Sequence, residues 1–69
     1  SNTSLRFVEV LQLAIERGQS EQVISEHKDP NELAFYFISS IAGLRTMAKA
    51  NTEPRNIRNI ISITLTALD

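Results

Sequence analysis

The sequence contains no cysteine, no tryptophan and a single histidine, and only two glycines and two prolines interrupt its 69 residues. Without cysteine the chain has neither disulfides nor thiolate metal sites. One histidine, His27, cannot form a zinc site without carboxylate ligands at suitable spacing, so we expect no metal and no cofactor. Single cores below about 70–80 residues rarely supply more than roughly 3–5 kcal/mol. Burial against a partner chain is therefore the expected source of additional stability.

Charges are balanced and dispersed along the chain. Seven Lys and Arg residues against eight Asp and Glu residues give a net charge of −1, and no basic stripe suited to phosphates is present, so we expect no nucleic-acid contact from this chain. The longest apolar run, Leu33–Ile38, is far shorter than the roughly 20 residues that span a bilayer, and no signal-peptide pattern opens the chain. These features predict a soluble, cytoplasmic protein. The start at Ser1 and Asn2, without Met, predicts a piece of a longer protein.

Reactive side chains form no catalytic pattern. Nucleophilic catalysis needs a nucleophile, a base and an orienting group in one place. His27 stands between Glu26 and Lys28 in a polar segment, which is typical of a solvated loop residue. Glu9 and Glu16 are seven residues apart on the polar face of a predicted helix, and no glycine-rich phosphate loop is present. We therefore expect no enzyme and no catalytic residue.

The first segment predicts an amphipathic helix that is capped by Ser4 and ends at Gly18, or continues for one further turn. The polar stretch of residues 19–29 follows, with Val23 and Ile24 as its only apolar anchors, and it predicts a connector. The apolar arc of this first helix consists of Phe7, Val8, Val10, Leu11, Ala14 and Ile15.

The second helix has the clearest start signal in the chain. Asp29 can cap it, Pro30 suits the first helical position, and Glu32 can complete a capping box. The helix is predicted to run from Pro30 to about Ala50, some 30 Å at 1.5 Å per residue.

The third helix is predicted from a cap at Thr52, through Pro54 in its first turn, to about Leu68. A link of only two residues, 51–52, predicts that the second and third helices are antiparallel neighbours. The predicted fold is therefore all-α, with three helices of which the last two form an antiparallel hairpin.

Apolar residues on the second and third helices cover more surface than one hairpin can bury. A helix that packs on a single partner needs an apolar stripe of about 100°, whereas the third helix has one of about 200°. Two hairpins that form a four-helix bundle across a two-fold axis would bury both surfaces, so we expect a homodimer. The predicted dimer interface consists of Phe35, Ile38, Ser39, Ala42, Gly43, Ile57, Ile60, Ile61, Thr64 and Leu68.

Gly43 lies in the middle of the predicted second helix, where glycine costs about 1 kcal/mol relative to alanine. The preferred explanation is a helix that crosses closely at this point. The alternative is a helix that tolerates a glycine without a packing reason.

The order of segments resembles the C-terminal region of TetR-family transcriptional regulators. It is carried by "ERG" near the end of the first helix, "DP" at the start of the second, "ELAFYFISSIAGLRTMAKA" within it, and "RNIRNIISITLTAL" after a short link. The resemblance implies a single C-terminal dimerisation and ligand-sensing domain over residues 1–69. It also implies that the family's DNA-binding helix-turn-helix lies elsewhere in the parent chain and is absent here.

The resemblance further implies a small apolar effector, bound between the first two helices and other helices of the parent, which changes the spacing of two DNA-binding heads. Candidate pocket residues are Phe7, Leu11, Tyr36 and Phe37, although core packing or an interface also suits them. Arg45 suits either the end of its helix or an ion pair across the dimer. The alternative function is a stand-alone helical protein-protein interaction module that docks an unrelated partner.

Overall fold

The computed structural model describes residues 3–50 and 53–69, apart from the side chain of Ser4. Within these ranges the chain forms three α-helices and one short 3₁₀ turn, and no strand. The prediction of an all-α protein with three helices is confirmed. The elements are α1 (Thr3–Ser20), α2 (Pro30–Lys49), α3 (Pro54–Leu65) and the 3₁₀ turn Thr66–Leu68.

Helix α2 starts as its sequence predicts. Asp29 is its N-cap, and the carboxylate accepts hydrogen bonds from the backbone N–H groups of Asn31 at 2.8 Å and Glu32 at 3.1 Å. Pro30 occupies the first helical position. No hydrogen bond of the described residues joins the Glu32 side chain to the backbone of Asp29, so the capping box is only half formed.

The starts of the other two helices differ from prediction. Helix α1 begins at Thr3, one residue before the predicted cap Ser4, whose side chain lies outside the described part. Thr52, the predicted cap of α3, also lies outside the described residues. The N-cap position of α3 is Glu53, whose side chain makes no capping hydrogen bond, and Pro54 follows in the first turn as predicted.

Helix α1 continues two residues beyond Gly18 and ends at Ser20, within the further turn that the sequence left open. The chain leaves the helix through a Schellman motif, in which Val23 N–H donates to the Gly18 carbonyl at 2.9 Å and Gln22 N–H to the Gln19 carbonyl at 3.1 Å. Gln22 has a φ of 64°, the left-handed conformation that glycine usually supplies. Gly18 is small for another reason, because the Ile24 side chain lies directly over it.

Four hydrogen bonds hold the connector between α1 and α2 in place. The Gln19 side-chain amide donates to the carbonyls of Ser25 at 2.9 Å and Lys28 at 2.7 Å. Ser25 N–H donates to the Leu68 carbonyl, and the Lys28 ammonium to the Ala67 carbonyl, both at 3.0 Å. A cation at a helical C-terminus is electrostatically favourable. The connector therefore joins the end of α1, the start of α2 and the end of the chain.

The core is small and lies between α1 and α2. Its buried apolar residues are Val8, Ile15, Leu33 and Ala34. Half-buried residues packed around them are Leu11, Ile24, Phe37, Ile38 and Ala67. Val23 is exposed, so its prediction as an anchor of the connector is wrong. Helix α3 contributes no buried residue at all.

The helices form a flat arrangement. Its principal extents are 38 × 32 × 13 Å, so the shortest is less than half of either of the others. The radius of gyration is 13.3 Å, against about 11 Å for a compact domain of this length. The accessible surface is 5394 Å², against about 4,300 Å² for a compact monomer of this mass.

Candidate interaction surfaces

One apolar groove lies between the second and third helices, and we call it the α2–α3 groove. Its volume is about 610 Å³. It is lined by Tyr36, Ser40, Gly43, Leu44, Thr46 and Met47 of α2 and by Ile60, Ile63 and Thr64 of α3. No charged side chain lines it. Such a surface suits close packing against another apolar surface better than binding of an ion.

Gly43 lies in this groove with open space where a side chain would be. A Cβ atom built on Gly43 meets no other atom within 4 Å. The fold of the described residues therefore gives Gly43 no steric reason to be glycine, although glycine costs about 1 kcal/mol relative to alanine here. Ile63, which also lines the groove, leaves 67% of its surface exposed.

A second groove, the α1–α2 groove, has a volume of about 550 Å³. It is lined by Phe7, Val10, Leu11 and Ala14 of α1 and by Ile38, Ile41, Ala42 and Arg45 of α2. Phe7 and Val10 leave 64% and 67% of their surfaces exposed. Arg45 is the only charged residue of this groove, and the ion pairs of the described residues do not include it.

The residues predicted for the dimer interface lie on several surfaces. Gly43, Ile60 and Thr64 line the α2–α3 groove, whereas Ile38 and Ala42 line the α1–α2 groove. The other five lie in neither groove: Phe35, Ser39 and Ile61 are exposed, and Ile57 and Leu68 are half-buried.

The residues predicted for the effector pocket are not brought together. Phe7 and Leu11 line the α1–α2 groove, whereas Tyr36 lines the α2–α3 groove. Phe37 is half-buried against the core, and its ring meets that of Tyr36 edge to face, with centroids 5.5 Å apart and planes inclined at 71°. Neither groove is lined by all four.

The polar residues around His27 have structural partners. Asp29 caps α2, and Lys28 binds a C-terminal carbonyl. His27 itself is exposed, and its backbone N–H donates to the Ser25 hydroxyl at 3.4 Å. In residues 3–50 and 53–69 no group of three or more His, Asp or Glu side chains is placed to hold a metal ion.

Four large apolar residues that line the grooves and are exposed were not predicted as site residues from the sequence: Val10, Ile41, Met47 and Ile63. Their signal was the width of the apolar arcs. A helix face wider than about 100° has more apolar side chains than one neighbour covers, so some of them must stay exposed, but the width does not say which.

Comparisons with known proteins give no assignment for the chain. No family model, curated protein or solved structure matches it. Within the part that the structure describes, no helix combines the length and the apolar character that crossing a bilayer requires.

Proposed function

We propose that this chain is the C-terminal dimerisation and effector-sensing domain of a TetR-like transcriptional regulator. The observation that carries the proposal is the exposure of apolar side chains on a flat arrangement of helices. The chain has about 1,100 Å² more accessible surface than a compact monomer of its mass. A standard protein interface buries about 800 Å² on each partner, so the excess is large enough for one.

The proposed interface is a four-helix bundle made from α2 and α3 of two copies. Contacts at the end of the chain support an antiparallel arrangement of these helices: the carbonyls of Ala67 and Leu68 bind Lys28 and Ser25, just before α2 begins. A two-fold axis would place the α2–α3 grooves of the two copies face to face. Gly43 would then allow the partner helix to approach closely, which accounts for a glycine that its own chain does not require.

Effector sensing would work by a shift between two dimer geometries. A ligand changes such an equilibrium only as far as it binds one geometry more tightly than the other. The α1–α2 groove shares α2 with the proposed interface, so a ligand there contacts a helix that also contacts the partner. DNA contact belongs, in this proposal, to a helix-turn-helix of the parent chain.

The alternative is a stand-alone interaction module that docks an unrelated protein through the same surfaces. The exposed apolar side chains suit either function. A parent gene that encodes a helix-turn-helix upstream of residue 1 would favour the regulator, and a gene without one would favour the module.

The first test is the solution mass by light scattering across a dilution series, with two matched variants. Gly43→Leu places a leucine in the α2–α3 groove, where its Cβ meets nothing in its own chain. Ala48→Leu places the same side chain on the same helix at an exposed residue outside that groove. We expect the unchanged chain and Ala48→Leu to be dimers, and Gly43→Leu to dissociate at least tenfold more readily.

Two results would contradict the proposal. The first is a well-folded monomer at every concentration, which would mean that the apolar grooves do not associate with each other and would favour the module. The second is a Gly43→Leu chain that dimerises as tightly as Ala48→Leu. Far-UV circular dichroism of each variant shows whether it is folded, and leucine should raise helix propensity at Gly43 by about 0.8 kcal/mol.

A further inference from the structure

We infer that the α1–α2 groove binds an amphipathic anion, a molecule with a medium-length alkyl chain and a carboxylate or similar head group. The inference rests on the effector-sensing part of the proposed function and names the chemical class of the ligand. It is carried by the combination of seven apolar residues with a single cation in one groove.

The size of the groove suits a small molecule. Its volume of about 550 Å³ lies within the roughly 300–1,000 Å³ of small-molecule pockets. On α1 the lining runs from Phe7 to Ala14, and on α2 from Ile38 to Arg45, a length of about 10 Å along each helix at 1.5 Å per residue. An extended chain such as that of decanoate has a similar length.

The charge of the groove indicates the head group. Arg45 is the last lining residue along α2, so the one cation among the lining residues belongs to an end position of the groove rather than a middle one. No ion pair of the described residues involves Arg45. A guanidinium binds carboxylate with two parallel hydrogen bonds, and such charge-assisted bonds are stronger than neutral ones.

The α2–α3 groove differs from the α1–α2 groove in charge. It is of similar size and also apolar, but no charged residue lines it. An amphipathic anion therefore has a counter-ion in one groove and none in the other. This contrast assigns the ligand to the α1–α2 groove and leaves the α2–α3 groove for the partner chain.

The test is a titration of the ¹⁵N-labelled chain with hexanoate, octanoate, decanoate and decanol below their aggregation limits, followed by amide chemical shifts. We expect saturable shifts at Ala14 and Ala42 and small ones at Ile63. Each added methylene should tighten binding roughly two- to fourfold, since burial of a CH₂ group is favourable. Arg45→Gln should weaken decanoate about fivefold and leave decanol within twofold, because an exposed ion pair has a modest effect. Arg58→Gln, an exposed α3 arginine, is the matched control.

The inference is overturned if decanoate and decanol bind equally and Arg45→Gln has no effect, if the shifts are larger around Ile63, or if no shift saturates. Light scattering on the same samples gives their solution mass, so failure of the ligand inference can be distinguished from failure of the proposed function. A monomer with saturable decanoate binding contradicts the regulator only. A dimer without binding contradicts the amphipathic ligand only.

Discussion

Replacement of Gly18 by alanine tests how the connector packs on the end of α1. Glycine to alanine inside a helix normally stabilises a protein by about 0.8–1 kcal/mol. At Gly18, however, the new Cβ would lie 2.5 Å from Cδ1 and 2.9 Å from Cγ1 of Ile24, whereas ordinary contacts are 3.4–4 Å. The Ile24 side chain must therefore shift or change its rotamer to make room for the methyl group.

The size of the effect follows from two opposing terms. Overpacking of this kind costs about 1–3 kcal/mol, and the gain in helix propensity offsets about 1 kcal/mol of it. We expect Gly18→Ala to lower the free energy of unfolding by about 1 kcal/mol. In an Ile24→Ala background nothing blocks the new methyl group, so the same substitution should raise the free energy of unfolding by about 1 kcal/mol.

Urea unfolding followed by circular dichroism, on both single variants and the double variant at one protein concentration, completes this cycle. The expected coupling between Gly18 and Ile24 is about 2 kcal/mol. A Gly18→Ala substitution that stabilises both backgrounds equally would refute the packing of Ile24 over Gly18.

Two further predictions concern the ends of helices. Gln22→Gly should raise the free energy of unfolding by about 0.5–1 kcal/mol in urea unfolding, because glycine adopts a φ of 64° without the steric cost that glutamine has; no gain would contradict the left-handed conformation. Asp29→Ala should lower the free energy of unfolding by about 1 kcal/mol, because the hydrogen bonds from Asn31 and Glu32 are lost. Asp29→Ser should retain most of the stability, and equal losses in both variants would show that the cap contributes little.

Sequence patterns predicted the helices well where local chemistry decides the outcome. The start of α2 follows from Asp29 and Pro30, which act through the first turn alone. The end of α1 lies in the further turn that the sequence left open after Gly18, since Gly18 is a usual end signal but here makes room for Ile24 from the connector. This contact joins a residue of α1 to a residue of the connector six positions later. The helical periodicity of apolar residues does not reveal such a contact.

Burial was harder to predict than helicity. The apolar arc of α1 was predicted as one face of an amphipathic helix, yet only Val8 and Ile15 of that arc are buried while Phe7 and Val10 are mostly exposed. Periodicity identifies which side chains share a helix face, but not how much of that face a neighbouring helix covers. The division of the candidate pocket residues between two grooves depends on that coverage.

The exposed apolar grooves of this flat protein have a consequence for its lifetime in a cell. If association covers its grooves, a newly made chain exposes apolar surface until it meets a second copy, and stability then depends on protomer concentration. Unpaired chains are the form that chaperones and proteases remove. The steady-state amount of protein should therefore rise more steeply than its rate of synthesis, and below a threshold of expression little of it would persist.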